Sequence, residues 1–150
     1  MASSGSFGTG NYHGRYLTFN WWTNGRSIDG NYTDIGWNLV GSGNASASWY
    51  KAGNFKVVID GEEVYSSSSR INLYNGTTVA SGTKRIYHDS QGNKQFSAYA
   101  EAGIYTVAVN CTGSGSWWLC CCFNDRLFHE KPKRDGYGDG TEFAGAGCGV

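Results

Sequence analysis

The residues able to do chemistry are few and scattered along this chain. Histidine is the side chain that titrates nearest neutrality and the commonest metal ligand. It occurs three times, as His13, His88 and His129. None stands at the spacing of a metal-binding or triad motif, so structural or solvent-facing roles are expected for all three. Glu62 and Glu63 are adjacent. On a strand they point to opposite faces and cannot pair as acid and base, so they read as solubilising charges on a hairpin.

The five cysteines include three in a row, Cys120, Cys121 and Cys122, with Cys148 near the end. Structural zinc sites use cysteine pairs two to four residues apart so that two thiolates converge, and consecutive cysteines do not. An odd number with consecutive members also makes a poor disulfide framework, so free thiols are expected. The run Asp135 to Gly140 lacks the calcium-loop spacing and its closing glutamate. No glycine-rich phosphate loop and no nucleophile elbow occurs. The reading is a chain with no catalysis, no cofactor and no metal, which acts by binding or building.

Composition narrows the class. One domain suits 150 residues. The 39% hydrophobic and 15% aromatic content is enough to offset the entropy of ordering. Formal net charge is zero, so no global field draws the chain to nucleic acid or to an anionic membrane surface. The opening residues carry neither a basic start nor an apolar stretch, and no apolar run approaches a membrane helix, so a cytosolic product is expected. The Asn-x-Ser/Thr triplets at Asn31, Asn44, Asn75 and Asn110 then read as turn and strand chemistry.

Twenty-three glycines against one proline disfavour helix and supply turn signals at short intervals. Between them the period is two. Leu17, Phe19 and Trp21 alternate with polar residues, as do Ile35, Trp37 and Leu39, then Phe55, Val57 and Ile59, then Phe96, Ala98 and Ala100. Tyr105, Val107, Val109 and Cys111 form a last alternating strand, followed by the apolar run Trp117 to Phe123. Asp60-Gly61 predicts a two-residue type I′ hairpin, and Asn75-Gly76 and Gln91-Gly92-Asn93 mark two further reversals. Seven or eight such strands without helical spacers predict an antiparallel β-sandwich, immunoglobulin-like or jelly-roll, with an open barrel as the alternative. The expected core is Leu17, Phe19, Trp37, Leu39, Val57, Ile59, Ile86, Phe96, Ala98, Val107 and Val109.

The ends differ from this middle. Residues 1–14 are small and glycine-rich and read as a flexible arm; residues 15–123 make the sandwich; residues 124–150 read as an extended charged arm. The aromatic pairs Trp21-Trp22, Trp49-Tyr50 and Trp117-Trp118 must each send one ring to the core and one outward. Outward rings stack on sugars or fill protein interfaces, and the second is preferred here for want of a secretion signal. The candidate interaction residues are therefore Trp22, Trp49, Tyr50 and Trp117, with Leu127, Phe128 and Phe143 as anchors on the C-terminal arm.

Three blocks, Gly30 to Leu39, Phe55 to Gly61 and Ser81 to Asp89 leading through Gly92-Asn93-Lys94 to Phe96-Ser97-Ala98, make the chain from Tyr16 to Leu119 resemble siphophage virion proteins of the tail-fibre or anti-receptor type. The β-sandwich modules of that family carry N-x-S/T-x-I/V-x-W and H-x-x-x-G-x-K strands, matched here by Asn31-Tyr32-Thr33-Asp34-Ile35-Gly36-Trp37 and His88-Asp89-Ser90-Gln91-Gly92-Asn93-Lys94. The resemblance implies a virion component, a β-sandwich assembled in the host cytoplasm with other capsid or tail proteins, and a homo-oligomer is expected; the departures from the family pattern bring capsid decoration or a connector role into view. Its members are longer and continue into further domains, where this chain has a cysteine-rich strand and a charged tail. The rival reading is a carbohydrate-binding or receptor-binding module engaging a host cell-surface glycan.

Overall fold

The computed structural model describes residues 4–43 and 50–118. Among them the chain forms nine strands and no helix: β1 (Ser4–Gly8), β2 (Arg15–Ser27), β3 (Tyr32–Gly43), β4 (Tyr50–Ile59), β5 (Glu62–Ser67), β6 (Ile71–Leu73), β7 (Thr78–Tyr87), β8 (Asn93–Ile104) and β9 (Val107–Trp118). They make two antiparallel sheets, one ordered β1-β2-β3-β7 and the other β5-β4-β8-β9, with β6 pairing the first residues of β4 beside β5. The sheets pack as a β-sandwich. With β2, β3 and β7 as strands A, B and E, and β5, β4, β8 and β9 as C′, C, F and G, the connectivity is that of the immunoglobulin-like sandwiches, extended by β1 at the A edge.

Period-two alternation builds the core. Leu17, Phe19, Trp21, Ile35, Trp37, Leu39, Val57, Ile59, Ile86, Phe96, Ala98 and Val109 are all buried between the sheets. Val107, expected among them, is 37% exposed, because β9 starts there, directly after the Tyr105-Thr106 turn. Tyr105, expected in the strand, is a turn residue with φ 54°.

The Asp60-Gly61 hairpin joins β4 to β5 with φ of 52° and 79°, the positive pair a type I′ turn requires. The other two reversals are not hairpins. Asn75-Gly76 carries the chain from β6 to β7, and Gln91-Gly92 from β7 to β8, each crossing from one sheet to the other.

Residues 1–14, expected as an arm, contribute a strand instead. Ser4–Gly8 pairs with Thr18 to Trp22, and Phe7 turns inward to stack on Phe19 at 5.0 Å between centroids. Phe7 also occupies the space beside Gly113 of β9, where a Cβ would fall 2.3 Å from its ring. Gly10 N–H donates to the Asn110 carbonyl at 3.2 Å, so these contacts draw the β1 and β9 edges together. At the opposite edge Lys84 of β7 pairs with Glu62 of β5. The expected C-terminal arm, residues 124–150, lies outside the described residues.

Candidate functional site

The chain segments that carry Asn31, Thr33, His88 and Lys94 meet at one corner. Asn31 closes the turn between β2 and β3 at φ 53°, a left-handed conformation asparagine tolerates better than most residues. Its side-chain amide donates to the carbonyls of His88 and Asp89 at 3.1 and 3.0 Å. Thr33, fully buried on β3, shares a 2.8 Å hydrogen bond with His88 Nε2. The other ring nitrogen of His88, Nδ1, lies 3.0 Å from the Gly92 carbonyl. His88 is therefore a staple across the β7–β8 crossover. An unpaired buried partner left by its removal would cost about 1–3 kcal/mol. Lys94, last in the same block, pairs with Asp60 at 3.0 Å, tying the crossover to the β4–β5 hairpin. The chemistry-bearing residue types of these blocks are thus spent on architecture.

The remaining candidates for chemistry stay apart. Among the described residues no three His, Cys, Asp or Glu side chains gather as a metal group. Cys111 is a free thiol, and burial pushes its pKa up, which disfavours the thiolate a nucleophile needs. Glu63 pairs with Lys56 at 3.6 Å across the hairpin. Cys120, Cys121, Cys122, Cys148 and His129 lie outside the described residues. No helix among the described residues is long and apolar enough to cross a membrane.

What the fold does present is the outer face of β2-β3-β7. Cross-strand register sets it out in rows: Thr18 opposite Val40, Asn20 opposite Asn38 and Ser81, Trp22 opposite Gly36 and Thr83, Asp34 opposite Arg85, and Tyr32 opposite Tyr87. Trp22 is 37% exposed while its neighbour Trp21 is buried, as strand alternation requires. The Trp22 indole covers Gly36, whose Cβ, if present, would fall 2.4 Å from the ring. Its Nε1–H donates to Asn24 Oδ1 at 3.0 Å. Asn24 is the extra residue of a β-bulge between Thr23 and Gly25, a device that re-aims side chains, and it reaches on to Thr83 at 3.4 Å.

One row along, Arg85 makes a bidentate pair with Asp34 at 2.8 and 2.9 Å and lies 3.6 Å over the Tyr32 ring. The guanidinium beside Asp34 holds that carboxyl below the usual carboxylate range. Tyr87, 62% exposed, meets Tyr32 edge-on at 6.0 Å, and Ile28, 53% exposed, belongs to the adjoining β2–β3 turn. The outer face of the other sheet is plainer. There Tyr99 donates to Glu101 at 2.6 Å, a bond that raises the phenol's pKa.

Of the interaction residues named from the sequence, Trp22 is on this face. Tyr50 and Trp117 belong to β4 and β9, but their side chains lie outside the described residues, as do Trp49, Leu127, Phe128 and Phe143 altogether. Tyr32, Arg85, Tyr87 and Ile28 are not among those residues. The signal that could have found Tyr87 is its alternation with buried Ile86. Arg85 and Asp34 meet only through the β3–β7 register, which no local pattern reveals. Compared with known proteins, the chain matches no family model and no curated protein.

Proposed function

We propose that this chain is a non-enzymatic structural module of a bacteriophage virion, a β-sandwich on a capsid or tail, assembled in the host cytoplasm with its own copies and other virion proteins. The observation that carries the reading is the patch of Tyr32, Arg85, Tyr87 and Ile28. Tyrosine and arginine are enriched where protein interfaces draw their affinity. The Asp34 pair and the Tyr32 ring hold the guanidinium in place before any partner arrives, so little side-chain entropy remains to be lost on docking. The family-like residues support the same reading differently, since Asn31, Thr33 and His88 interlock to set the β7–β8 crossover that presents Arg85 and Tyr87.

The test is the mass of the full chain by light scattering behind a sizing column, over a range of concentrations, with and without reductant, beside Tyr87→Asp. Association that grows with concentration, ignores reductant and is lost in the variant is expected. A monomer at every concentration, or a variant that associates as the natural chain does, overturns this assembly role.

A further inference from the structure

We propose that Trp22 and the Asn20–Asn38 pair form a subsite for one neutral pyranose ring, with Trp22 as the stacking surface and the amides as partners for sugar hydroxyls. Three features of the face point to this class of ligand.

The first is how the indole is held. Gly36 lies under it and Asn24 binds its N–H, so the ring is fixed and its one polar group is occupied. What it has left to offer is aromatic surface, which suits the patch of C–H groups on a pyranose face.

The second is the neighbouring row. Asn20 and Asn38 sit one row along the strands from Trp22, about 7 Å away at the rise of an extended chain, within the span of a sugar ring stacked on the indole. Their mutual hydrogen bond, Asn20 Nδ2 to Asn38 Oδ1 at 2.8 Å, uses one of two carbonyl oxygens and one of four amide hydrogens. The rest can donate to and accept from vicinal hydroxyls. Thr18 and Ser42, bonded at 2.7 Å, continue the same uncharged line.

The third is charge. The rows of Trp22 and of Asn20 contain no ionisable residue, from Ser4 and Ser6 on β1 to Thr83 and Ser81 on β7. The nearest guanidinium along the face, Arg85, is committed to Asp34. Among the described residues of these two rows a nucleotide's phosphate would meet no cation, and a charged peptide no counter-charge. A neutral polyol needs neither.

This inference does not rest on the assembly reading. Tyr87 lies two rows from Trp22 in the other direction, about 13 Å along the strands, and two strands across the sheet, so the two can be tested apart. Isotope-labelled full chain is titrated separately with methyl β-galactopyranoside, cellotriose and chitotriose while the Trp22 Nε1–H and the Asn20 and Asn38 side-chain amides are followed by NMR. The expected result is that one sugar moves all three groups along one saturable curve. Affinity should fall by at least about tenfold in Trp22→Ala, survive in weakened form in Trp22→Phe and be unchanged in Tyr87→Asp. The proposal is overturned if no sugar moves these resonances or if a response survives Trp22→Ala undiminished. It is equally overturned if the resonances shift with protein concentration alone, which would make the face a protein contact.

Discussion

Trp21 and Trp22 are one residue type, one peptide apart, and each covers a glycine on the strand beside it. Trp21 lies against Gly5 of β1, where a Cβ would fall 2.5 Å from its ring, and Trp22 against Gly36 of β3. Yet Trp21 is 3% exposed and meets Phe96 edge-on at 5.0 Å, whereas Trp22 is 37% exposed and meets an asparagine. The same local device therefore serves two ends. On the inner face, a ring spread over a neighbouring strand fills the space between sheets. On the outer face, it makes an ordered aromatic surface that stays 37% exposed among the described residues. Trp37 over Gly82, and Phe96 beside Gly115, repeat the inner version. An aromatic opposite a strand glycine is this fold's habitual way of seating a large ring without widening the sheet.

The largest expected effect separates the two tryptophans. Trp21→Ala removes a buried ring and leaves a cavity, and should lower the unfolding free energy by about 3–5 kcal/mol. Trp22→Ala gives up only partial burial and should cost about 1 kcal/mol. Urea unfolding of both variants gives the two values. Equal losses would mean that Trp22 is a core residue in solution, and the distinction between the faces would be gone.

A smaller effect sharpens the role of the glycine. Gly36→Ala places a methyl where the indole sits, so the ring must lift or the strand must give. A loss of about 1–2 kcal/mol is expected, together with a red-shifted Trp22 emission as the ring enters solvent. Gly25→Ala, three residues along on β2, is the control, since nothing lies within 4 Å of its added Cβ. It should change stability by less than about 0.5 kcal/mol. If both variants behave alike, steric seating of Trp22 is not what Gly36 provides.

These glycines also mark the limit of what local sequence carries. The period of two placed Leu17, Phe19, Trp37, Val57 and Phe96 in the core because alternation on a pleated strand is a local property. The Asp60-Gly61 turn was legible because its backbone angles are demanded by two residues alone. Gly36, Gly82 and Gly115 were not, because a glycine under a ring and a glycine in a turn are the same letter. The difference lies in what stands opposite across the register. Residues 1–14 are small, polar and glycine-rich and so read as an arm; in Ser4–Gly8 Phe7 alone is large, and one ring becomes a strand signal only once Phe19 and Gly113 flank it. Gln91-Gly92 announced a reversal correctly but could not say that the chain changes sheets there. That is decided by the His88 staple, whose partner Thr33 is 55 residues away. The candidate face was legible at Trp22, from alternation, and illegible at Asp34 and Arg85, which meet only through β3–β7 pairing.

The smallest effect concerns that pair and follows from a sign. The Arg85 hydrogen bonds hold the folded Asp34 pKa below its ordinary value, so the folded chain binds the proton less readily than the unfolded one. The resulting stabilisation is complete above the unfolded carboxylate pKa, about 3.9, and disappears as pH falls through the lower folded value. Asp34→Asn should accordingly differ in stability from the natural chain by a constant amount from neutrality down to about pH 4, the difference narrowing at more acid pH. The gap will be slight and will shrink with added salt, because the Arg85 side chain is 46% exposed and solvent screens the pair. Arg85→Lys tests the geometry rather than the charge, since an ammonium can reach Asp34 but cannot make the two-pronged contact while lying over the Tyr32 ring. If the lysine variant keeps both the pH dependence and the self-association of the natural chain, charge alone suffices. If it keeps the first and loses the second, what the ion pair contributes to the outer face is a fixed guanidinium, held in position for a neighbour as Gly36 and Asn24 hold Trp22.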